Sequence, residues 1–281
     1  MKSITTYINE KLILNKNTKT KYKYHPQTTE ELQGLIEKLI KERGNTADLN
    51  DIDVSNITSM KGLFSKINGF RGNISNWDVS KVTDMESMFY DCPYFDFRQI
   101  EDWDISSLKY ANWMFEDCAN MNADFSKWNV NNLKDACGMF KDCDDFEGIG
   151  LENWKTDSLL NSNDMFYGCI KFNGNLSNWN MANVDILDQM FYRCYKFNQD
   201  LSNWKFKQNL MALEAVFAEC SSFEGKGLEN WDVHMVEYFD TMFLNCNNLN
   251  CNLEKWDISN VKTFTDMFKG VDKKIIPSWY A

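Results

Sequence analysis

Cysteine, aspartate and tryptophan recur along this chain at regular intervals, and the first two are residue types that can do chemistry. Cysteine forms one column, each member three residues after a phenylalanine: Cys92, Cys118, Cys143, Cys169, Cys194, Cys220 and Cys246. Thiols at fixed spacing can bind zinc or take part in redox reactions. Carboxylates directly after several tryptophans raise the alternative of calcium binding. These columns are therefore either a multiplied site or one scaffold part copied many times.

The ends of the cysteine column favour the scaffold. Ile67 and Val271 take the same place in the first and last repeats, so the position accepts any modest apolar volume. The nine Cys are an odd number, and neither a CxxC pair nor a His-rich cluster accompanies them, which disfavours disulfides and zinc. We expect the column in the core, Cys137 and Cys251 partly exposed, a reducing compartment, no metal and no cofactor.

The residue after each tryptophan forms a second column, which we treat as the candidate binding face. Because neighbours in a strand point to opposite sides, each member should face outward, on the concave surface where solenoids bind partners. Lysines within it argue against calcium, and the alternative is a solvated face with amide ladders between repeats. The column reads Asp78, Asp104, Asn129, Lys155, Asn180, Lys205, Asp232 and Asp257.

Tryptophan sets the period of the chain. It recurs every 25 to 27 residues, at Trp77, Trp103, Trp128, Trp154, Trp179, Trp204, Trp231 and Trp256. Ile52 takes its place one period earlier, so we count nine repeats over residues 49–271, numbered 1 to 9 with Ile52 in repeat 1. We interpret the tryptophans as an aromatic ladder inside the stack rather than a platform for sugars or bases.

Each repeat contains two apolar patterns that must position these columns. L-x-x-W-x-V, as at residues 74–79, predicts a short strand with tryptophan facing inward. Met85, Met88, Phe89 and Cys92 stand at i, i+3, i+4 and i+7, which predicts about two turns of helix. One such unit cannot bury its apolar edge, so the repeats must stack. We predict an α/β repeat solenoid of parallel strands and short helices, about 40 Å long at a strand spacing of about 4.8 Å.

The regions outside the repeats are predicted to be caps. Thr28-x-x-Glu31 is a capping box, and the apolar face that follows it ends at Gly44. We assign residues 1–24 to an N-terminal extension, 25–46 to a capping helix, 47–271 to the solenoid and 272–281 to a C-terminal cap. In that last segment Ile275, Ile276, Trp279 and Tyr280 should fold over repeat 9.

Composition excludes several classes of function. A net charge of −11 disfavours nucleic acid and anionic lipid as partners, and no apolar run reaches the roughly 20 residues that span a bilayer. Two His without a matched nucleophile, and no P-loop or GxGxxG after a strand, predict that the chain is not an enzyme. Lacking a signal peptide or lipobox, it is expected in the cytoplasm, with the virion or the cell surface as alternatives.

The full motif L-x-x-W-D-V-S-x-V-T-D-M-x-x-M-F-x-x-C-x-x-F resembles the BspA-like leucine-rich-repeat proteins, in the 25-residue subgroup found in bacterial surface lipoproteins and in viral and phage relatives. The resemblance covers residues 47–271 and implies a leucine-rich-repeat solenoid. It carries no catalytic residues. Many members are surface proteins thought to bind host proteins or other cells, but the surface members have a signal peptide, lipobox and anchoring domain.

Three roles therefore stay open. The first is a non-enzymatic interaction protein that binds an unidentified protein through one face of the stack. The second is a structural component of a phage particle or other assembly, and the third is an adhesin exported by a non-standard route. The repeats that depart from the pattern should be the informative ones, because a binding site concentrates its departures on one face. Repeat 7 departs with one extra residue and a basic stretch at Lys205 and Lys207, and repeat 3 departs with Tyr110 and Trp113 where most repeats have polar residues.

Overall fold

The computed structural model describes residues 22–65, 67, 69–207 and 209–280, so most of the predicted N-terminal extension lies outside the described residues. The one α-helix in these ranges, α1, spans Thr29–Arg43. It begins at the predicted capping box: the Glu31 N–H donates to the Thr28 hydroxyl (3.2 Å), and the Gln27 N–H donates to the Glu31 carboxylate (2.7 Å). It ends at Gly44, whose φ of 83° is accessible mainly to glycine.

Helix α1 covers the N-terminal end of the stack. Leu32, Ile36 and Leu39 are fully buried and belong to the same core as the repeats. The Thr29 hydroxyl donates to the Ser59 carbonyl of repeat 1 (2.7 Å), which fixes the start of the helix on that repeat. The predicted helix is therefore confirmed, and it shields apolar surface that repeat 1 would otherwise expose.

The predicted strands are wrong. In the described part of the chain the repeats are joined by isolated parallel bridges, among them Ser59 with Asp84 and Tyr110 with Asp135, and no run of pairs forms a strand. The L-x-x-W segment is instead a tight turn, in which the Trp77 N–H donates to the Ile74 carbonyl (3.1 Å). The V-x-x-V segment that follows is a second tight turn, in which the Val82 N–H donates to the Val79 carbonyl (2.9 Å). An apolar residue at each end of a turn produces the spacing that suggested a strand.

The predicted repeat helices are also wrong, although their buried residues were correctly chosen. Met85, Met88, Phe89 and Cys92 are all at most 3% exposed. Their backbone nevertheless forms consecutive turns, with positive φ at Ser87 (53°) and Asp91 (54°), which an α-helix excludes. Two linked turns place apolar residues three and four apart just as a helix does, so the periodicity cannot distinguish them.

A backbone ladder between repeats replaces the hydrogen bonds of a helix. Alternate N–H groups in this segment donate to the next repeat along the chain: Met85 to Tyr110, Ser87 to Asn112, Phe89 to Met114 and Asp91 to Glu116, each at 2.9 Å. Later repeats keep the register, as in the bonds from Phe140 to Met165 and from Phe217 to Met242. Backbone groups inside a repeat are thus satisfied by its neighbour, so the repeats depend on being stacked.

The continuous aromatic ladder is made of phenylalanine. One ring per repeat stacks on the next at 5.4–5.9 Å between centroids: Phe64, Phe89, Phe115, Phe140, Phe166, Phe191, Phe217, Phe243 and Phe268. The tryptophans are buried beside it, as predicted, but direct parallel stacking is found for Trp128 on Trp154, Trp154 on Trp179 and Trp204 on Trp231. Trp77 and Trp256 tilt against phenylalanine instead.

Short 3-10 turns absorb the extra residues of longer repeats. Those at Leu151–Asn153 and Leu228–Asn230 follow Gly150 (φ 85°) and Gly227 (φ 95°), the glycines of the FEGIG and FEGKG segments. A Cβ on Gly150 would lie 2.1 Å from the Ser126 nitrogen, so both the conformation and the space require glycine. Two further 3-10 turns lie at Phe97–Ile100 and Ser278–Tyr280.

The C-terminal segment packs on repeat 9. Ile275, Ile276, Trp279 and Tyr280 are partly buried against the core, and the Trp279 Nε1–H donates to the Leu253 carbonyl (3.0 Å). That bond repeats the one that each of seven tryptophans in the stack makes to a carbonyl of the preceding repeat. Trp279 therefore takes the place of a further tryptophan in the column and closes this side of the stack.

Candidate functional site

The cysteine column lies in the core, as predicted, and its thiols also make a contact that the sequence did not suggest. All seven members are buried, and each Sγ lies within hydrogen-bonding distance of a phenylalanine carbonyl in the preceding repeat, for example Cys169 to Phe140 at 2.9 Å. Burial raises the pKa of these thiols, to about 12 for Cys92, so they stay protonated. Protonated, enclosed thiols are poor nucleophiles and poor metal ligands, which leaves packing as their function. Cys137 and Cys251 are partly exposed, as predicted.

The eight residues predicted as the binding face are all exposed. Six of them are Asp or Asn, and each accepts a hydrogen bond through Oδ1 from the N–H two residues later, as Asp104 does from Ser106 (3.0 Å). The alternative of amide contacts between repeats is found beside this column: side-chain amides donate to the preceding repeat from Asn132, Asn178, Asn183, Asn203 and Asn260. Within the column itself, Asn180 donates to Asp157 (2.6 Å). The acidic character of the column thus follows from local turn chemistry, which the Asp-x-Ser spacing could have revealed.

Lys155 and Lys205 are the two members of this face that cannot serve the turn. An ammonium group has no acceptor oxygen. The N–H groups of Asp157 and Lys207, two residues after these lysines, therefore cannot donate to the preceding side chain as the equivalent N–H groups do in the other six repeats. Within the described residues neither lysine forms an ion pair. Lys155 therefore gives up a turn hydrogen bond, whereas in repeat 7 the turn begins one residue later, with the Leu210 N–H donating to the Lys207 carbonyl (3.2 Å). Both lysines place a positive charge on an acidic protein.

Sequence reasoning missed a stripe of exposed apolar side chains on the neighbouring side of the stack. Leu160, Ile186 and Met211 are 40%, 45% and 49% exposed. Other exposed large apolar side chains lie elsewhere on the described repeats: Tyr94, Tyr110, Ile149, Ile170 and Met235. The ladder places Leu160 and Met211 at equivalent positions, which Asp185 occupies in repeat 6, because the Asp185 N–H donates to the Leu160 carbonyl (2.7 Å) and the Glu237 N–H to the Met211 carbonyl (2.8 Å). Ile186 stands one residue further along, since it bridges to Asn161. We call these three residues the apolar stripe. It lies on repeats 5 to 7, the same repeats that carry Lys155 and Lys205.

Half-buried carboxylates occupy the surface beside the ladder. Burial raises the pKa of Asp164 and Asp188 above the ordinary value, and the Asp164 Oδ1 is buried without a hydrogen-bond partner. In the described ranges no three His, Cys, Asp or Glu side chains are grouped closely enough to hold a metal ion. The burial of these carboxylates is therefore electrostatically unfavourable, and they are not grouped as the ligands of a metal site would be.

A family comparison agrees with the repetition. Residues 34–149, 138–226 and 207–278 match the family described as "Mycoplasma protein of unknown function, DUF285". These segments cover most of the chain, and the chain therefore belongs to this family, whose unit it contains three times. No curated protein and no solved structure matches the chain.

A search for membrane-spanning helices gives a negative result. Among the residues that the structure describes, no helix is long and apolar enough to cross a bilayer.

Proposed function

We propose that this chain is a non-enzymatic protein-binding stack, related to the leucine-rich-repeat solenoids of the BspA-like kind, and that it binds through repeats 5 to 7. The support for the relationship is the 25- to 27-residue period with one inward aromatic anchor in each repeat. Leucine-rich repeats have strands where this chain has tight turns. The proposed relationship therefore concerns how the repeats stack and not the geometry of strands.

One observation carries the assignment of the binding region. Two departures that folding does not require, lysine at a turn-acceptor position and an apolar side chain held in water, meet on the same repeats. Exposed apolar groups rimmed by charge are typical of protein interaction sites. Repeat 7 adds the third departure, its extra residue, with Phe206 packed edge-on against Trp231 (4.8 Å, 83°).

The test removes charge from the face without disturbing the turns. The fourfold variant carries Asp78→Asn, Asp104→Asn, Lys155→Asn and Lys205→Asn, and every substituted position retains or gains a carbonyl acceptor. We expect an unchanged or slightly raised melting temperature and reduced recovery of the partner in affinity capture from the native source. The control variant, Asp78→Asn with Asp104→Asn, keeps both lysines and should recover the partner normally. Equal recovery by wild type and the fourfold variant would contradict binding through this face.

The two other roles predicted from the sequence, a particle component and an exported adhesin, gain support from no particular contact. They stay predictions.

A further inference from the structure

We propose that the apolar stripe is the docking surface for an amphipathic α-helix of a partner protein, with acidic residues in the turns next to its apolar face. This inference rests on the proposed protein-binding function and names the chemistry of the partner. It follows from the spacing of the stripe, from its exposure and from the charges that continue its line.

The spacing of the stripe is closer to that of a helix than to that of a strand. The stripe lies at the parallel bridges between repeats, where neighbouring backbones are about 4.8 Å apart. An α-helix rises about 5.4 Å per turn, so side chains at i, i+4 and i+7 would meet Leu160, Ile186 and Met211 in turn. Side chains on one face of an extended strand are about 6.6–6.8 Å apart and fall out of register over the same distance.

The surface that continues the stripe toward the N-terminal end is basic. Lys109 and Lys134 are exposed at the positions of repeats 3 and 4 that Leu160 occupies in repeat 5, and the Leu160 N–H donates to the Lys134 carbonyl (2.9 Å). Among the described residues neither lysine has an ion-pair partner. Asp185, which interrupts the stripe in repeat 6, is paired with Lys207. A helix lying along the stack would thus place its next two turns over two free positive charges.

Charge complementarity therefore selects the occupant. Carboxylates in the first turns of the partner helix would face Lys109 and Lys134 and would also favour that helix's own N-terminus. Leucine-like side chains in the following three turns would cover the stripe. A second copy of this chain is a poorer candidate, because two surfaces that both carry unpaired lysines repel each other.

The experiment uses a designed peptide as the probe. A fluorescent, helix-forming peptide of about 18 residues carries Glu in its first two turns and Leu at i, i+4 and i+7 afterwards. A second peptide has the same composition with its leucines permuted around the helix. Fluorescence anisotropy is measured against the full chain, and we expect the permuted peptide to bind at least about tenfold more weakly.

Three variants of the chain separate docking from nonspecific adhesion. The stripe variant carries Leu160→Ser, Ile186→Ser and Met211→Ser together. It should bind the first peptide at least about tenfold more weakly than wild type does. The matched control, Tyr94→Ser with Ile170→Ser, removes exposed apolar side chains outside the stripe and should not change the affinity. The double variant Lys109→Glu with Lys134→Glu should bind the first peptide more weakly. A peptide in which Lys replaces the Glu residues should restore binding to this variant. Melting temperatures verify that each variant is folded.

Several results would overturn the proposal. They are no binding of the first peptide, equal binding of both peptides, or no loss in the stripe variant. A wild-type dimer in sedimentation velocity that the stripe variant abolishes would also refute it, because a second copy would then be the occupant. If the stripe variant still captures the native partner, the helix-docking proposal fails while the proposed function stands. If wild type captures no partner, the proposed function fails.

Discussion

At the scale of single residues, the repeated polar positions are explained by the backbone groups beside them. Aspartate and asparagine recur after tryptophan because their side-chain oxygen accepts a hydrogen bond from the turn N–H two residues later. Cysteine recurs because the position is apolar and faces a phenylalanine carbonyl, which its weak donor can reach. Asp164 is different. Its carboxylate is half-buried with one oxygen unpartnered, so its charge is a cost to folding.

Asp164→Asn should raise the free energy of unfolding at pH 7 by about 1 kcal/mol, because it removes a charged group with a buried, unpartnered oxygen. Burial holds the pKa of Asp164 above the ordinary 3.8, so the folded state takes up its proton at a higher pH than the unfolded state does. The advantage should therefore be complete above the raised pKa and should shrink as pH falls toward 3.8.

Urea unfolding between pH 3.5 and pH 7 measures this difference, with the exposed Asp78→Asn as the control. Asp78 is exposed, and an asparagine there keeps an oxygen that can accept the hydrogen bond from the Ser80 N–H, so this variant should be about as stable as wild type. An Asp164→Asn advantage that does not depend on pH would contradict the electrostatic explanation.

At the scale of elements, the repeat is a closed series of tight turns, and this is where sequence reasoning failed. The period, the number of repeats, helix α1 and the buried residues could be predicted, because each depends on apolar spacing alone. The strands and helices could not. Turn, strand and helix all place apolar residues two, three or four apart, and what separates them here is the left-handed conformation at positions such as Ser87 and Asp91.

The left-handed positions give a test of this local structure. Thr241 has a φ of 55°, which is costly for a β-branched residue, whereas asparagine tolerates it. Thr241→Asn should therefore raise the free energy of unfolding by about 0.5–1 kcal/mol in urea titrations. Thr265→Asn, one repeat further on and outside the left-handed region, should have no such effect. If Thr241→Asn were no more stable than Thr265→Asn, the turn geometry assigned to this segment would be wrong.

At the scale of the whole molecule, the regular scaffold and the candidate binding region are separate. The phenylalanine ladder and the inter-repeat hydrogen bonds run through all nine repeats with little variation, as a scaffold requires. The candidate site lies on repeats 5 to 7, at Lys155, Lys205 and the apolar stripe. The column proposed as a binding face could be read from the sequence and stays a prediction. The stripe could not, since exposure of a leucine or methionine depends on which side of a turn it occupies.

The central claim is that these departures exist for binding and not for folding, and the double variant Lys155→Asn with Lys205→Asn tests it directly. At position 155 asparagine restores the turn acceptor that six other repeats have, so the fold should gain about 0.5–1 kcal/mol there. At position 205, where the turn begins one residue later, stability should be unchanged. Affinity for the captured partner should fall, because two positive charges are lost. Measuring urea stability and partner binding on the same preparation decides the matter. Higher stability with weaker binding is the predicted result, and unchanged binding, or lower stability, would contradict the claim.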